Sequence, residues 1–202
     1  MTVPRESVVG EVGRRLGFTR AFVTEVGCVL QTMVLMVRGR IGMPGGEVGR
    51  SVRFADGTTS MVYRETTLRT GPGADAVLLV VRFRLRLIGT NRFGHALFRF
   101  ESLFNTVLFA AHRGFRTKLW LTDTATGFYR GIYEWEGADR AAAYAEVLRV
   151  VLAPWVAAGS FGYRIVEGPD REAFLQGNLV IAAEDFPGDL WWLPVDGSAN
   201  DR

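Results

Sequence analysis

The chain is poor in the side chains that most often carry chemistry. It has one cysteine, Cys28, and two histidines, His95 and His112. A single cysteine excludes an internal disulfide and any cysteine-based zinc site, and its apolar neighbours fit a buried, inert thiol. Two histidines leave no His-rich metal site, so no metal is expected. Gly-x-Ser-x-Gly, P-loop and HExxH motifs are absent. Gly10-x-x-Gly13 has no strand before it and is not a dinucleotide fingerprint. No Ser/His/Asp or Cys/His series for nucleophilic catalysis stands out. Long hydrophobic runs are missing too. The stretch from Ala21 to Val37 is interrupted by Glu25 and Gln31 and falls short of the ~20 clean apolar residues a span needs. The residues before it mix Arg5, Arg14 and Arg15 with Glu6 and Glu11, unlike a basic signal region. The segment therefore reads as a buried or interface helix, and no membrane span is expected. A reducing, cytoplasmic setting fits the cysteine usage.

What is present is aromatic and moderately basic. Aromatic residues make up 12% of the chain, and such side chains must fill a core, an interface or a ligand cavity. The net charge is only +3, with arginines spread along strands and loops rather than gathered in a run. Charge therefore gives no support to a nucleic-acid partner. The 202 residues suffice for one well-buried domain with decorations, or for two small ones.

Periodicity and turn signals divide the chain in three. Residues 1–70 read as a long N-terminal helical stretch, ended by Gly42, Pro44, Gly45 and Gly46, and then a hairpin. The hairpin's strands, Ser51 to Ala55 and Thr59 to Leu68, flank Asp56-Gly57. Gly71-Pro72-Gly73 then opens the way to a main unit over 76–168. Its order is strand (Leu78 to Ile88), helix (Phe93 to His112), strand (Thr117 to Thr122), strand (Gly127 to Glu136), helix (Ala138 to Ala158) and strand (Ser160 to Val166). That order predicts a ferredoxin-like α+β sandwich. Gly114 is placed to end the first helix, and Pro154 to kink or end the second. Residues 169–202 form a tail with a short helix and the pair Trp191-Trp192.

Two runs carry a resemblance to a known family. Gly114-Phe115-Arg116-Thr117-Lys118-Leu119-Trp120-Leu121 is followed by Thr126-Gly127-Phe128-Tyr129-Arg130-Gly131-Ile132-Tyr133-Glu134-Trp135 and an Ala-rich helix. This resembles the YdhR-like branch of the dimeric α/β-barrel superfamily, over residues 76–168 only. The resemblance implies a ferredoxin-like protomer whose sheet packs on another sheet in a homodimer. It also implies a cavity between sheet and helices, and relatives among cofactor-free monooxygenases and polyketide cyclases. The N-terminal third and the aromatic tail depart from the pattern. Either could cover the open sheet face within one chain.

The alternation in the first main strand sorts side chains onto two faces. Leu79, Val81, Phe83, Leu85 and Leu87 are expected to face the helices, with Tyr129, Tyr133 and Trp135 beside them. Leu119, Leu121, Phe161, Tyr163 and Ile165 complete that side, and Phe98 and Phe104 approach it from the helix. Such a cavity would be apolar with phenol and indole handles, suited to a flat polycyclic ligand. The plainer reading is that these aromatics fill the core. The opposite face is expected to gather Arg82, Arg84, Arg86, Arg130 and Arg164 with Lys118, Trp120 and Glu134. Like charges there repel unless answered. The answer is an anion or acidic surface, a partner subunit, or Glu6, Glu11, Glu25 or Glu65 of the N-terminal segment, unless the face is simply solvated.

Three residues of the first main helix are candidates for polarising a carbonyl or moving a proton. They are His95 in its first turn, Asn105 within its apolar run, and Glu101 one turn before Asn105. Two have a bland alternative: Asn105 as an amide tying its helix to a strand, and Glu101 as that amide's partner. His112, in the last turn, reads as a cation favoured by the helix dipole. The leading expectation is a cofactor-independent enzyme acting on a large apolar conjugated, polyketide-like substrate by monooxygenation or cyclisation. The rivals are a non-catalytic binding or accessory protein for an apolar metabolite, and an arginine surface that docks an acidic partner.

Overall fold

The computed structural model describes residues 41–68, 76–86, 112–177 and 190–195. The N-terminal helical stretch with Cys28 and most of the helix expected over Phe93 to His112 lie outside them. The described strands are β1 (Ile41–Gly42), β2 (Ser51–Phe54), β3 (Thr59–Leu68), β4 (Ala76–Arg84), β5 (Phe115–Asp123), β6 (Phe128–Glu136), β7 (Gly162–Glu167) and β8 (Pro194–Val195). The helices are α1 (Ala138–Leu152) and α2 (Arg171–Leu175).

All the strands join one antiparallel sheet in the order β7-β4-β6-β5-β3-β2-β8, with β1 paired to β3. Its first four members give the strand order of a ferredoxin-like α+β fold. The first strand of the main unit, β4, lies between the third, β6, and the fourth, β7. The hairpin strands β3 and β2 continue the sheet beyond β5, and β8 closes that edge against β2.

Local chemistry explains the turns. In the β2–β3 hairpin, Gly57 sits at φ +79°, a conformation that a side chain disfavours. Asp56 Oδ1 accepts from the Thr58 backbone N–H at 3.0 Å. In the β5–β6 turn, Asp123 Oδ1 accepts from the backbone N–H groups of Ala125 and Thr126, and such side-chain caps favour a tight reversal. Helix α1 stops at Leu152, two residues before Pro154. It is thus shorter than its apolar pattern suggested, because Pro154 cannot continue the hydrogen-bond ladder. Trp155, expected on the heavy end of that helix, is 61% exposed.

The sheet is buried on both sides. On the helix side, Val77, Leu79, Val81, Phe115, Trp120, Tyr133 and Trp135 pack with Ala141, Tyr144 and Ala145 of α1. On the outer side, Leu78, Val80, Leu119, Leu121, Ile132 and Val166 pack with Val52, Phe54, Val62, Phe174, Leu175, Trp191 and Trp192. The tail and the hairpin thus supply a second apolar layer.

This corrects one expectation. Leu119 and Leu121 do not complete the helix-facing side; they point outward, and Lys118 and Trp120 take their place. Directly paired residues in an antiparallel ladder share a face, and Leu119 pairs with Ile132 while Lys118 pairs with Tyr133. The pattern misled because every residue from Lys118 to Asp123 is buried, so polarity along β5 does not mark its sides. A register shift between Phe115 and Thr117 also breaks the count from the preceding turn.

The outer layer carries a stability prediction. Trp192→Ala should cost about 3–5 kcal/mol and Leu119→Ala about 2–5 kcal/mol in urea unfolding. Variants within error of the wild type would show that this layer does not hold the sheet.

Candidate functional site

The arginines expected on the outer face are there, but the chain itself answers several of them. Arg130 has a side chain with no exposure. It donates to Ser60 Oγ at 2.7 Å, Thr58 Oγ1 at 2.6 Å and Asp56 Oδ2 at 3.1 Å. Its guanidinium lies 4.2 Å from the Phe54 ring centroid. Burial, chiefly, brings its pKa down to about 10, against the opposing pull of Asp56. Arg82 shares Asp56 at 3.4 Å and stacks on Phe128 and Trp191, and Arg164 lies over Trp192. Arg84 and Arg86 are exposed. Glu65, one of the acids expected to neutralise this face, pairs instead with Arg171 at 2.9 Å. Asp56, held by the hairpin turn that the Asp-Gly pair announces, answers Arg82 and Arg130. Trp120 does not belong to this face.

The helix-facing side gathers the aromatic residues named from the sequence, in two groups. Tyr133 and Trp135 pack with Tyr144, whose ring centroid is 5.5 Å from the first and 4.9 Å from the second. His112 meets Trp135 and Tyr144 edge-on. Tyr163 borders this group and donates to Glu146 Oε1 at 3.3 Å. Burial first, then Glu146, raises the pKa of its hydroxyl. Phe83, Leu85 and Tyr129 form the second group with Leu152 and Val156, at the C-terminal end of α1. The Phe83 and Tyr129 rings stack at 5.9 Å. His95, Phe98, Glu101, Phe104 and Asn105 lie outside the described residues.

The structure adds a polar centre to this side that the sequence pattern misplaced. Lys118 is flanked by Thr66 of β3 and Tyr133 of β6. Its Nζ lies 3.0 Å from the Trp120 ring centroid and 4.6 Å from that of Tyr133. Trp120 is anchored by its Nε1 donating to Thr66 Oγ1 at 3.1 Å. Arg64 comes to 3.9 Å from the same indole ring. A register shift between Val62 and Arg64 sets both Tyr63 and Arg64 against the single residue Trp120, the two-against-one arrangement of a β-bulge, which re-aims side chains. One signal in the sequence marks this residue. The chain has twenty-three arginines and one lysine, and the lysine is Lys118.

Electrostatics at this centre run against charge. Burial, and then the Arg64 charge, hold the Lys118 amine well below its ordinary value of 10.5. Burial likewise lowers Arg64. For Tyr133, burial raises the hydroxyl pKa despite a hydrogen bond with Tyr144, so the phenol keeps its proton at neutral pH. The centre thus offers an amine able to exist neutral, a phenol able to donate, and a guanidinium with fixed charge. Among the described residues, no three His, Cys, Asp or Glu side chains come together as a metal-ligand set, and no helix is long and apolar enough to cross a membrane.

No protein-family model matches the chain, and no curated protein matches it. Among solved structures it is similar to an anthrone oxidase-like protein, at 18% identity and a TM-score of 0.39, over 56% of this chain and 55% of that one. The match thus spans about half the length of that protein. A ferredoxin-fold protein related to antibiotic biosynthesis monooxygenases, from Listeria monocytogenes, matches at 11% identity and a TM-score of 0.37, over 64% and 92% of the two chains. A monooxygenase-like protein from Listeria innocua matches at 13% and 0.36, over 69% and 87%. The fold assignment rests on the strand order and register, not on these likenesses.

Two outcomes test the geometry. A Cβ on Gly131 would stand 2.6 Å from Tyr133 Cε2, so Gly131→Ala must displace that ring. It should cost about 1–3 kcal/mol and alter the near-ultraviolet circular dichroism; an unchanged spectrum and stability would place the ring elsewhere. Lys118 supplies a pH dependence. A base with a depressed folded pKa binds fewer protons folded than unfolded, between the folded value and 10.5. Stability therefore rises with pH across that window, by up to about 1.4 kcal/mol per pH unit. Unfolding of the wild type and Lys118→Met at several pH values below about 9.5, before tyrosines titrate, should show the wild type gaining on the variant. Parallel curves would mean that the amine titrates alike folded and unfolded.

Proposed function

We propose that the helix-facing side of the sheet binds a large, apolar, conjugated molecule of polyketide type and oxygenates it with dioxygen, using no cofactor. The observation that supports this most is the joining of two features on one buried face. Rigid aromatic rings, Trp120, Tyr133, Trp135 and Tyr144, supply flat contact area. A small polar centre of Lys118, Arg64 and the Tyr133 hydroxyl supplies the means to form and hold an anion. A mostly apolar site with few convergent polar groups suits such a ligand. The reaction is balanced with dioxygen alone: an activated methylene becomes a carbonyl, one oxygen atom enters the product, and the other leaves as water with both hydrogens.

Rate would come from holding the anion in a dry site at a fixed orientation and from donors aimed at the developing oxyanion. Tyr133 suits the donor role because its raised pKa keeps the hydroxyl protonated. Phe83, Leu85, Tyr129 and Tyr163, with Phe98 and Phe104, would shape the rest of the cavity. His95, Glu101 and Asn105 are assigned the carbonyl-polarising and proton-moving roles expected of them. Placement in the YdhR-like branch is part of the same reading, with 76–168 as the core domain, 1–70 as an extension packing on it and 169–202 as the tail. A homodimer remains part of it as well. Its contact must lie elsewhere than on the outer apolar layer, which Phe174, Leu175, Trp191 and Trp192 fill.

Ring closure is the second reaction that this face could run, and simple carriage of an apolar metabolite the third role. Oxygen-electrode measurements with an anthrone and with a polyhydroxylated naphthalene separate them. Uptake of one dioxygen per product carbonyl is the expected result. Tight binding with no uptake would replace oxygenation by carriage, and a cyclised product formed without uptake would replace it by ring closure.

A further inference from the structure

Lysine and arginine are not equivalent cations. A guanidinium stays protonated at any pH a protein meets, whereas an amine can shed its charge and act as a base. This chain uses arginine twenty-three times and lysine once. The one lysine is not on the surface, where a lysine is ordinarily at home; it is 5% exposed, on the helix-facing side of the sheet between β3 and β6. A cation wanted only for packing over Trp120 is already present there in Arg64.

We propose that Lys118 is the proton acceptor of the site. Its neutral amine takes a proton from an activated C–H or phenolic O–H of a conjugated substrate laid against Trp120 and Tyr133. The proposal rests on the oxygenase reading above. In the step, the nitrogen lone pair forms a new N–H bond. The electron pair of the broken bond stays on the substrate as a delocalised carbanion or phenolate. Lys118 becomes an ammonium, and the resulting anion is electron-rich enough to pass electrons to dioxygen. The proton held on Lys118 is later one of the two that leave with the second oxygen atom as water.

The surroundings fit both states of the amine. The groups facing it among the described residues are Tyr63, Arg64 and Thr66 from β3, Trp120 from its own strand, and Tyr133 from β6. Tyr144 of α1 packs against Tyr133, and His112 against Tyr144. Arg64 is the one of these that bears a fixed charge, and it opposes the ammonium before substrate arrives. Once the proton has moved, the ammonium lies over the Trp120 ring, where cation–π attraction holds it. Arg64 then becomes an asset, a second positive charge beside the new anion. The Thr66 anchor keeps the indole from swinging away.

The single lysine makes the test direct. The 202-residue chain grown on 13C-labelled lysine gives one lysine Cε resonance, which needs no assignment. Its shift is expected to titrate with a midpoint below that of a free lysine, and oxygen uptake with an anthrone should rise along the same curve. Lys118→Met should lower kcat at least about 100-fold, as loss of a general base does, while anthrone binding changes little. Lys118→Arg should be as inactive as the methionine variant although it keeps the charge, which a purely structural role would not produce. Restoration of Lys118→Met by added ethylamine would further support the role. Uptake by Lys118→Met at the wild-type rate would overturn the base assignment and leave the oxygenase reading standing. A Cε resonance that stays at its ammonium position throughout the active pH range would do the same. Absence of uptake by the wild type with anthrone and phenolic probes would overturn the oxygenase reading, and the base role with it.

Discussion

The structure depends on the burial of strand β4 from both sides. Leu79 and Val81 pack toward α1, while Leu78 and Val80 pack toward the tail and the hairpin. A strand of this kind holds its neighbours in register twice over, because a one-residue slip would exchange two apolar layers at once. Strands β6 and β7 pair with β4 on its two edges. Strand β5, which carries Lys118 and Trp120, pairs in turn with β6. The position of the amine is therefore set by the ladder, not by a loop.

The same two-sided burial decides what could be read in advance. Strands with one wet edge or a sharp turn were legible. Asp56-Gly57 marks its hairpin, and β3 spans the Thr59 to Leu68 run that follows that turn pair. The phase of β4 was legible from Arg82 onward, where guanidinium groups alternate with Phe83 and Leu85. The phase of β5 was not. Its leucines and its tryptophan are all buried, so hydrophobicity is the same on both sides. Only cross-strand pairing with Ile132, Gly131 and Tyr133 distinguishes them. The same holds for the site: Tyr129, Tyr133, Trp135 and Tyr163 fall on the expected side, while Lys118 and Trp120 lie on the side opposite to expectation. Composition held the missing clue, since a lone lysine among so many arginines is a choice of chemistry rather than of charge.

Packing also explains why the outer face differs in character from the inner one. Its arginines lie against aromatic rings from the tail and hairpin: Arg82 on Trp191, Arg164 on Trp192 and Arg130 on Phe54. A guanidinium stacks on such rings and still reaches an acid with its edge. Asp56 supplies that acid to two of them. An aromatic tail and a row of arginines, each puzzling alone in the sequence, make one layer together.

Two deeply buried cations among the described residues show the division most clearly. The fold surrounds Arg130 with Asp56, Thr58 and Ser60, whose hydrogen bonds favour the charged form against the cost of burial. Lys118 can lose its charge, and the fold sets it among aromatic rings beside another cation, where burial favours the neutral form. Placing the single lysine where charge is opposed costs stability at neutral pH. The proposed use of the uncharged amine on the aromatic face, not the arginine face, would account for that cost.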